Sequence, residues 1–406
     1  MCKRRNMNSI NIMNNNSTIN ENVPNNYKSL SINYKNINIS TPALLIDKST
    51  LIDNIKTMSK YTKKNKISLR PHTKSHKTSE IAKMQIKNGA IGICVATLYE
   101  AEIMSGKNIE NILITTPITN LNSEKRLSKL IKFSKNLMLI IDSSYGLKFL
   151  EKIAIKNKIK IKVLVDCDIM GIGTNKIRRT GAKTIKEIIK LASLINKNKY
   201  LNYLGITAYA GDIQHINNYN QRKIETTIRH NYLNKIINKL KDKNLSPEII
   251  SGGGTGSYDI DTDSKLFTEL QAGSYVFNDV EYDNVNIYKS NKNPFKSGLF
   301  VASSIISILD DYNYIIDAGL KALSADSKYL PKLMGSFPEN SKYTFMGDEH
   351  GKITIPKSSK IKFKHGEVII IQPSHCDPTV NLYDKCYLIE KDKVSKSWAI
   401  DARGYG

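Results

Sequence analysis

Cysteine is scarce in this chain, and acid is in deficit. Its five cysteines are Cys2, Cys94, Cys167, Cys376 and Cys386. The number is odd and no CxxC pair occurs, which argues against a disulfide framework and fits a reducing compartment. No apolar run reaches roughly 18 residues, so no membrane-spanning helix is predicted. The N-terminal region also lacks the apolar core, roughly 7–15 residues long, of a secretory signal. Residues 1–40 are rich in Asn, Ser and Ile and hold no acid before Glu21. They are expected to be a disordered extension in a cytoplasmic protein, with organelle targeting as the alternative. Lys and Arg number 61 against 37 Asp and Glu, a formal net charge of +24. The lysines are spread through every predicted helix and form no single basic block. The excess therefore reads as solvated faces, with neither a nucleic-acid nor a membrane partner expected.

What the chain does contain is a rhythm. Apolar residues make up 40%, enough for a sizeable core. Ala43–Asp47 reads as a strand, and Leu51, Ile52, Ile55 and Met58 follow at helical spacing, with Asp47 or Ser49 placed to cap. The next strand segments are Ile67–Thr73, Ile91–Thr97, Ile112–Pro117, Met138–Asp142, Ile161–Asp166, Tyr203–Tyr209, Glu248–Ser251 and Tyr275–Asp279. Helical patterns fill most of the gaps. This alternation implies a parallel sheet. An α/β fold is predicted, with a closed (β/α)8 TIM-like barrel over residues 41–290. An open doubly wound sheet is the alternative. It would gather its ligand groups at one switch point, whereas polar clusters here lie at many strand ends. Short apolar runs such as Leu299–Ile306, Val368–Gln372 and Cys386–Glu390 then predict an all-β domain over residues 291–406.

In a barrel the chemistry sits where strands end. The second strand segment runs into Arg70-Pro71-His72-Thr73-Lys74-Ser75-His76-Lys77. A lysine held among cations at a barrel mouth is suited to Schiff-base chemistry, a solvated basic loop being the alternative. Glu248–Ser251 runs into Gly252-Gly253-Gly254-Thr255-Gly256. Glycines let backbone N–H groups approach an anion, and the loop after the seventh barrel strand is a frequent phosphate site. Tyr209 and His215 bracket another strand end, an aromatic ring for a planar ligand and an imidazole for a base. In the β domain, His375 and Asp377 would share a face if extended, an imidazole and a carboxylate suited to a divalent ion.

Together these segments resemble the family of D-threonine aldolases, 3-hydroxy-D-aspartate aldolases and D-serine dehydratases, alanine-racemase-like pyridoxal-phosphate enzymes. The resemblance runs from about residue 41 to residue 406. It is carried by Thr41-Pro42-Ala43, the Arg70–Lys77 segment, Ser251–Tyr258, Thr268–Phe277, Asp317–Ala322, Asp348–Gly351 and His375–Asp384. It implies an eight-stranded barrel with a β domain, pyridoxal 5'-phosphate, a divalent metal (Mn, Mg or Zn) and a homodimer. By the same resemblance Lys74 holds the cofactor covalently, Gly253, Gly254 and Thr255 bind its phosphate, and Tyr209 contacts it. Arg179 reaches the ring hydroxyl, with Arg178 as the neighbouring candidate because the segment from Asp166 is longer than the family's. His375 and Asp377 bind the metal.

The function implied is retro-aldol cleavage of a D-β-hydroxy amino acid, D-threonine or 3-hydroxy-D-aspartate, to glycine and an aldehyde. His215 or a hydroxide on the metal takes the hydroxyl proton, ahead of His72. The alternative is a dehydratase of D-serine or D-threo-3-hydroxyaspartate giving a keto acid and ammonia. Dehydratase-like members place Cys two residues after the metal histidine, where this chain has Asp377. A non-catalytic cofactor carrier would not need His375 and Asp377.

Overall fold

The computed structural model describes residues 39–174, 178–287, 293–391 and 393–404, so the expectation for residues 1–40 falls almost wholly outside it. The described residues open with β1 (Ala43–Asp47) and α1 (Lys48–Lys64). Strand–helix pairs follow: β2 (Ser68–Leu69) and α2 (Ser79–Lys87), β3 (Ile93–Val95) and α3 (Leu98–Gly106), β4 (Ile112–Ile114) and α4 (Glu124–Phe133), β5 (Met138–Ile141) and α5 (Ser144–Asn157). The series continues with β6 (Ile161–Asp166) and α6 (Ile185–Asn196), β7 (Leu201–Ala208) and α7 (Tyr219–Lys241), β8 (Ile249–Gly252) and α8 (Tyr258–Asp263), β9 (Glu269–Leu270) and α9 (Val280–Asp283). The remainder holds β10 (Leu299–Ile308), β11 (Asn313–Ile316), β12 (Lys332–Met334), β13 (Lys342–Phe345), β14 (Gly351–Thr354), β15 (Val368–Gln372), α10 (Cys376–Val380), β16 (Lys385–Glu390) and β17 (Lys393–Ala399).

Strands β2 to β9 form one sheet in the order β2-β9-β8-β7-β6-β5-β4-β3, every pairing parallel. It closes on itself where the Ile91 N–H donates to Leu69 O and the Cys94 N–H to Pro71 O, both at 2.9 Å. The apolar strands alternate as a barrel requires. Cys94, Leu113, Met138, Ile140 and Leu164 pack together on one face. Their neighbours Ile93, Val95, Ile112, Ile114, Leu139, Ile141, Val163 and Val165 pack with the helices on the other. Helices begin where polar residues at strand ends take up free N–H groups. Thr97 caps α3, Ser143 caps α5, and Thr184 with Glu187 forms a capping box on α6.

The eighth barrel strand is β9, not Tyr275–Asp279. Gly273 is followed by a one-turn 3-10 helix (Ser274–Val276), and Tyr275, Val276 and Phe277 bury themselves in the core of the second sheet. The strand was masked because its inward side chains are polar. Glu269 makes a bidentate pair with Arg70, Nε to Oε1 at 2.8 Å and Nη2 to Oε2 at 2.9 Å, and Gln271 donates to Ser251 Oγ at 2.9 Å. The second sheet runs β13-β14-β11-β10-β1-β16-β17, with β15 joining β10 to β12. Strand β1 is an interior strand of this sheet, antiparallel to β10 and parallel to β16. Residues 43–47 therefore lie with the C-terminal strands, although they fall inside the 41–290 span. That domain is not purely β either, since it carries the short helix α10.

Candidate active site

The C-terminal ends of the barrel strands open into a cavity of ≈ 580 Å³. Lys74, Arg179, Tyr209, His215, Gly254, Thr255, His375 and Asp377 all line it. Gly253 does not. It has φ +72°, and a Cβ there would sit 2.7 Å from Asp261 Oδ2, so it faces the back of the loop.

Lys74 stands in a 3-10 turn directly after β2. Its backbone N–H donates to His72 Nδ1 at 3.2 Å, and His72 Nε2 meets Thr115 Oγ1 at 2.9 Å. The Thr115 hydroxyl hydrogen goes to Val95 O, so His72 must itself donate from Nε2. Both ring nitrogens are thus engaged and His72 is neutral. Burial, aided by the Lys74 charge, pushes its pKa down to about 3. His72 therefore buttresses the lysine and has no free lone pair for a proton. The Lys74 Nζ lies 2.5 Å from Asp377 Oδ2. That carboxylate outweighs burial and holds the ammonium pKa above its ordinary value. Burial alone would raise Asp377, yet the Lys74 and His375 charges hold it well below the usual carboxylate range.

Asp377 is not extended after His375. His375 has strand-like φ −138° and ψ 123°, and Asp377 lies in the first turn of α10. The two side chains nonetheless reach the same cavity. His375 Nδ1 is 2.8 Å from Asp326 Oδ2. Burial works against the His375 charge, but Asp377, Asp279 and Asp326 leave its pKa above the histidine norm. Across from it lies His215, ring centroids 6.2 Å apart. Glu281 Oε2 stands 3.3 Å from His215 Nδ1, while the buried Nε2 has no partner among the described residues. Burial lowers the His215 pKa more than Glu281 raises it. Cys376, between the two predicted metal donors, is fully buried and outside the cavity lining. Among the described residues, no group of three or more His, Cys, Asp or Glu is placed to hold a metal ion.

The adjacent arginines part company. Arg178 pairs with Asp168 at 2.8 Å, whereas the Arg179 guanidinium lines the cavity 5.8 Å from the Tyr209 ring centroid. In the glycine loop, the backbone N–H groups of Gly254 and Thr255 have no acceptor among the described residues. Thr255 Oγ1 is fixed by the Tyr275 N–H at 3.1 Å. Sequence reasoning missed Glu281 and Asp326, isolated acids without a motif. It also missed Asp166, which burial pushes up to about 6 against the hydroxyls of Thr207 and Thr180. It missed Gln214 too, which lies between Tyr209 and His215 and lines the cavity.

Comparison with known proteins gives this site its setting. The alanine racemase N-terminal domain profile matches residues 46–280, and a serine dehydratase domain profile matches residues 298–389. A 3-hydroxy-D-aspartate aldolase of Paracoccus denitrificans is 31% identical over 372 residues, 91% of this chain and 93% of its own. A D-threonine aldolase of an Arthrobacter species is 30% identical over 367 residues, 90% of this chain and 93% of its own. The crystal structure of D-threonine aldolase from Filomicrobium marinum superposes with a TM-score of 0.82 at 29% identity, covering 90% of this chain and 96% of that one.

Proposed function

This chain belongs to the alanine racemase N-terminal domain family, and we propose that within it the chain is a lyase of D-β-hydroxy amino acids. The reaction proposed is retro-aldol cleavage of D-threonine or 3-hydroxy-D-aspartate to glycine and an aldehyde. One observation carries the reading: the primary amine of Lys74, the Gly254 and Thr255 residues whose N–H groups have no acceptor among the described residues, and the imidazole of His215 line one cavity.

Pyridoxal 5'-phosphate fits that set of groups. Its aldehyde requires an amine, which Lys74 presents; its phosphate requires donors, which Gly254 and Thr255 present; Arg179 and Tyr209 flank the space between. When bound, it supplies an electron sink for the breaking Cα–Cβ bond. His375 and Asp377 are the residues that would hold a divalent metal, Mn, Mg or Zn, which supplies Lewis acidity toward the β-hydroxyl. Asp326 at His375 Nδ1 leaves Nε2 as the ligating nitrogen, the support a metal-bound histidine requires. Two protein donors suit an ion that keeps water in its remaining positions.

His215 is the base. Glu281 beside Nδ1 favours the tautomer with its proton there, which leaves the Nε2 lone pair to accept the hydroxyl proton. The imidazolium so formed is stabilised by the same carboxylate. His72 plays no such part, because both its nitrogens are spent. The match of the C-terminal region to a serine dehydratase domain supports a second reading, loss of water from the same substrate class to give a keto acid and ammonia.

Purified protein given D-threonine or D-3-hydroxyaspartate should release glycine and an aldehyde, and EDTA should stop it. Ammonia with a keto acid would select the second reading. A visible band of lysine-bound cofactor, absent from Lys74→Ala, is expected; no band in cofactor-supplied wild type sinks both.

A further inference from the structure

Gln214 is 2% exposed and lies across the glycine loop. Both ends of its carboxamide are engaged. Nε2 donates to Ala210 O and to Ser257 Oγ, and Oε1 accepts from the Gly256 N–H, each at 2.9 Å. The Ser257 hydroxyl donates to Asp261 Oδ2 at 2.6 Å, and Asp261 Oδ1 meets His230 Nε2 at 2.9 Å. A continuous line of bonds therefore ties α7 and α8 to the back of the loop. It draws the Gly256 N–H and the Ser257 hydroxyl inward, while the N–H groups of Gly254 and Thr255, residues that line the cavity, have no acceptor among the described residues.

Steric contacts repeat the pattern. At Gly254, which has no left-handed φ, an added Cβ would meet three atoms of the Gln214 carboxamide, the closest at 2.4 Å. At Gly256 it would sit 2.0 Å from the Gln214 carbonyl oxygen. These positions are glycine because Gln214 occupies the room a side chain would need.

We propose that Gln214 is a positioning residue that sets the affinity for the cofactor's phosphate by locking the glycine loop. The inference rests on the reading that this loop receives that phosphate.

The test is a titration of cofactor-free full-length protein with pyridoxal phosphate and, separately, with pyridoxal, followed by the visible band. Gln214→Ala should weaken pyridoxal phosphate about tenfold, the worth of a lost buried hydrogen-bond set, and pyridoxal by less than about twofold. Gly254→Ala should do the same. The double variant should be no more than about twofold weaker than Gln214→Ala alone, because the new methyl enters space the glutamine has left. Gln214→Met keeps the volume without the bonds and replaces Gln214→Ala if thermal unfolding shows that variant does not fold. Single effects that multiply in the double variant, or pyridoxal falling in step with its phosphate, would overturn the proposal. A wild type with no Lys74-dependent band would remove the underlying reading as well.

Discussion

The two walls of the cavity are built from opposite materials. The barrel wall at the glycine loop consists of backbone N–H groups, hydroxyls and the amide of Gln214, with the bonds behind the loop satisfied. The facing wall is charged: His375 with Asp326, Asp377 with Lys74, and His215 with Glu281, a nitrogen left open. Saturated neutral groups hold a ligand without reacting with it. Carboxylate–imidazole pairs can accept and release protons. The comparison teaches that phosphate holding and proton transfer are assigned to different walls, so variants of Gln214 and His215 should separate binding from turnover.

The most severe way to break that division is His215→Ala. Turnover should fall by about 10²–10⁴-fold, the usual worth of a general base, with the visible cofactor band unchanged. If cofactor affinity fell as far as turnover, the walls would not be separate. Asp326→Asn sharpens the comparison on a smaller scale. Losing the carboxylate behind His375 should cost about 10–100-fold in activity or metal affinity, and added metal should recover part of it. A plain structural loss would not respond to metal.

A third effect concerns stability and the barrel wall. His76 is buried against Gln85 and its pKa is pushed down to about 4 by burial, so it is neutral in the folded state. The unfolded chain binds this proton from about pH 6.5 downward and the folded chain only near pH 4. Between those values the unfolded state holds more protons, so stability is lost as pH falls through the window and the loss is complete below it. Relative to wild type, His76→Gln should therefore gain up to roughly 3 kcal/mol between pH 6.5 and pH 4. Denaturant midpoints measured across that range check the sign; a constant difference would place the proton elsewhere.

Much of this was legible in the sequence, for physical reasons. A barrel strand such as Met138–Ile141 is apolar on both faces, one toward the barrel interior and one toward helices, and so stands out as a continuous run. Strand β9 did not, because Glu269 and Gln271 spend the barrel interior on polar bonds. Lys74, Tyr209 and His215 stand beside strand ends, where barrel geometry directs attention. The partners of His215 and His375 were illegible, since Glu281 and Asp326 come from distant segments that only the folded chain brings together. Gly253 stood in the right motif but serves its back side, a distinction that depends on φ rather than on residue type.

The placement of β1 carries a consequence for how the molecule is made. This strand leaves the ribosome ahead of the whole barrel, yet its edges are satisfied only by β10 and β16. Its pairings are among the longest-range contacts in the chain, the kind that close late because so much loop entropy must be spent first. During synthesis an apolar strand, Ala43-Leu44-Leu45-Ile46, therefore waits unpaired while the barrel assembles beside it. The second domain is sealed by a strand made before the barrel, and a chain released before β16 would leave that strand open to aggregation.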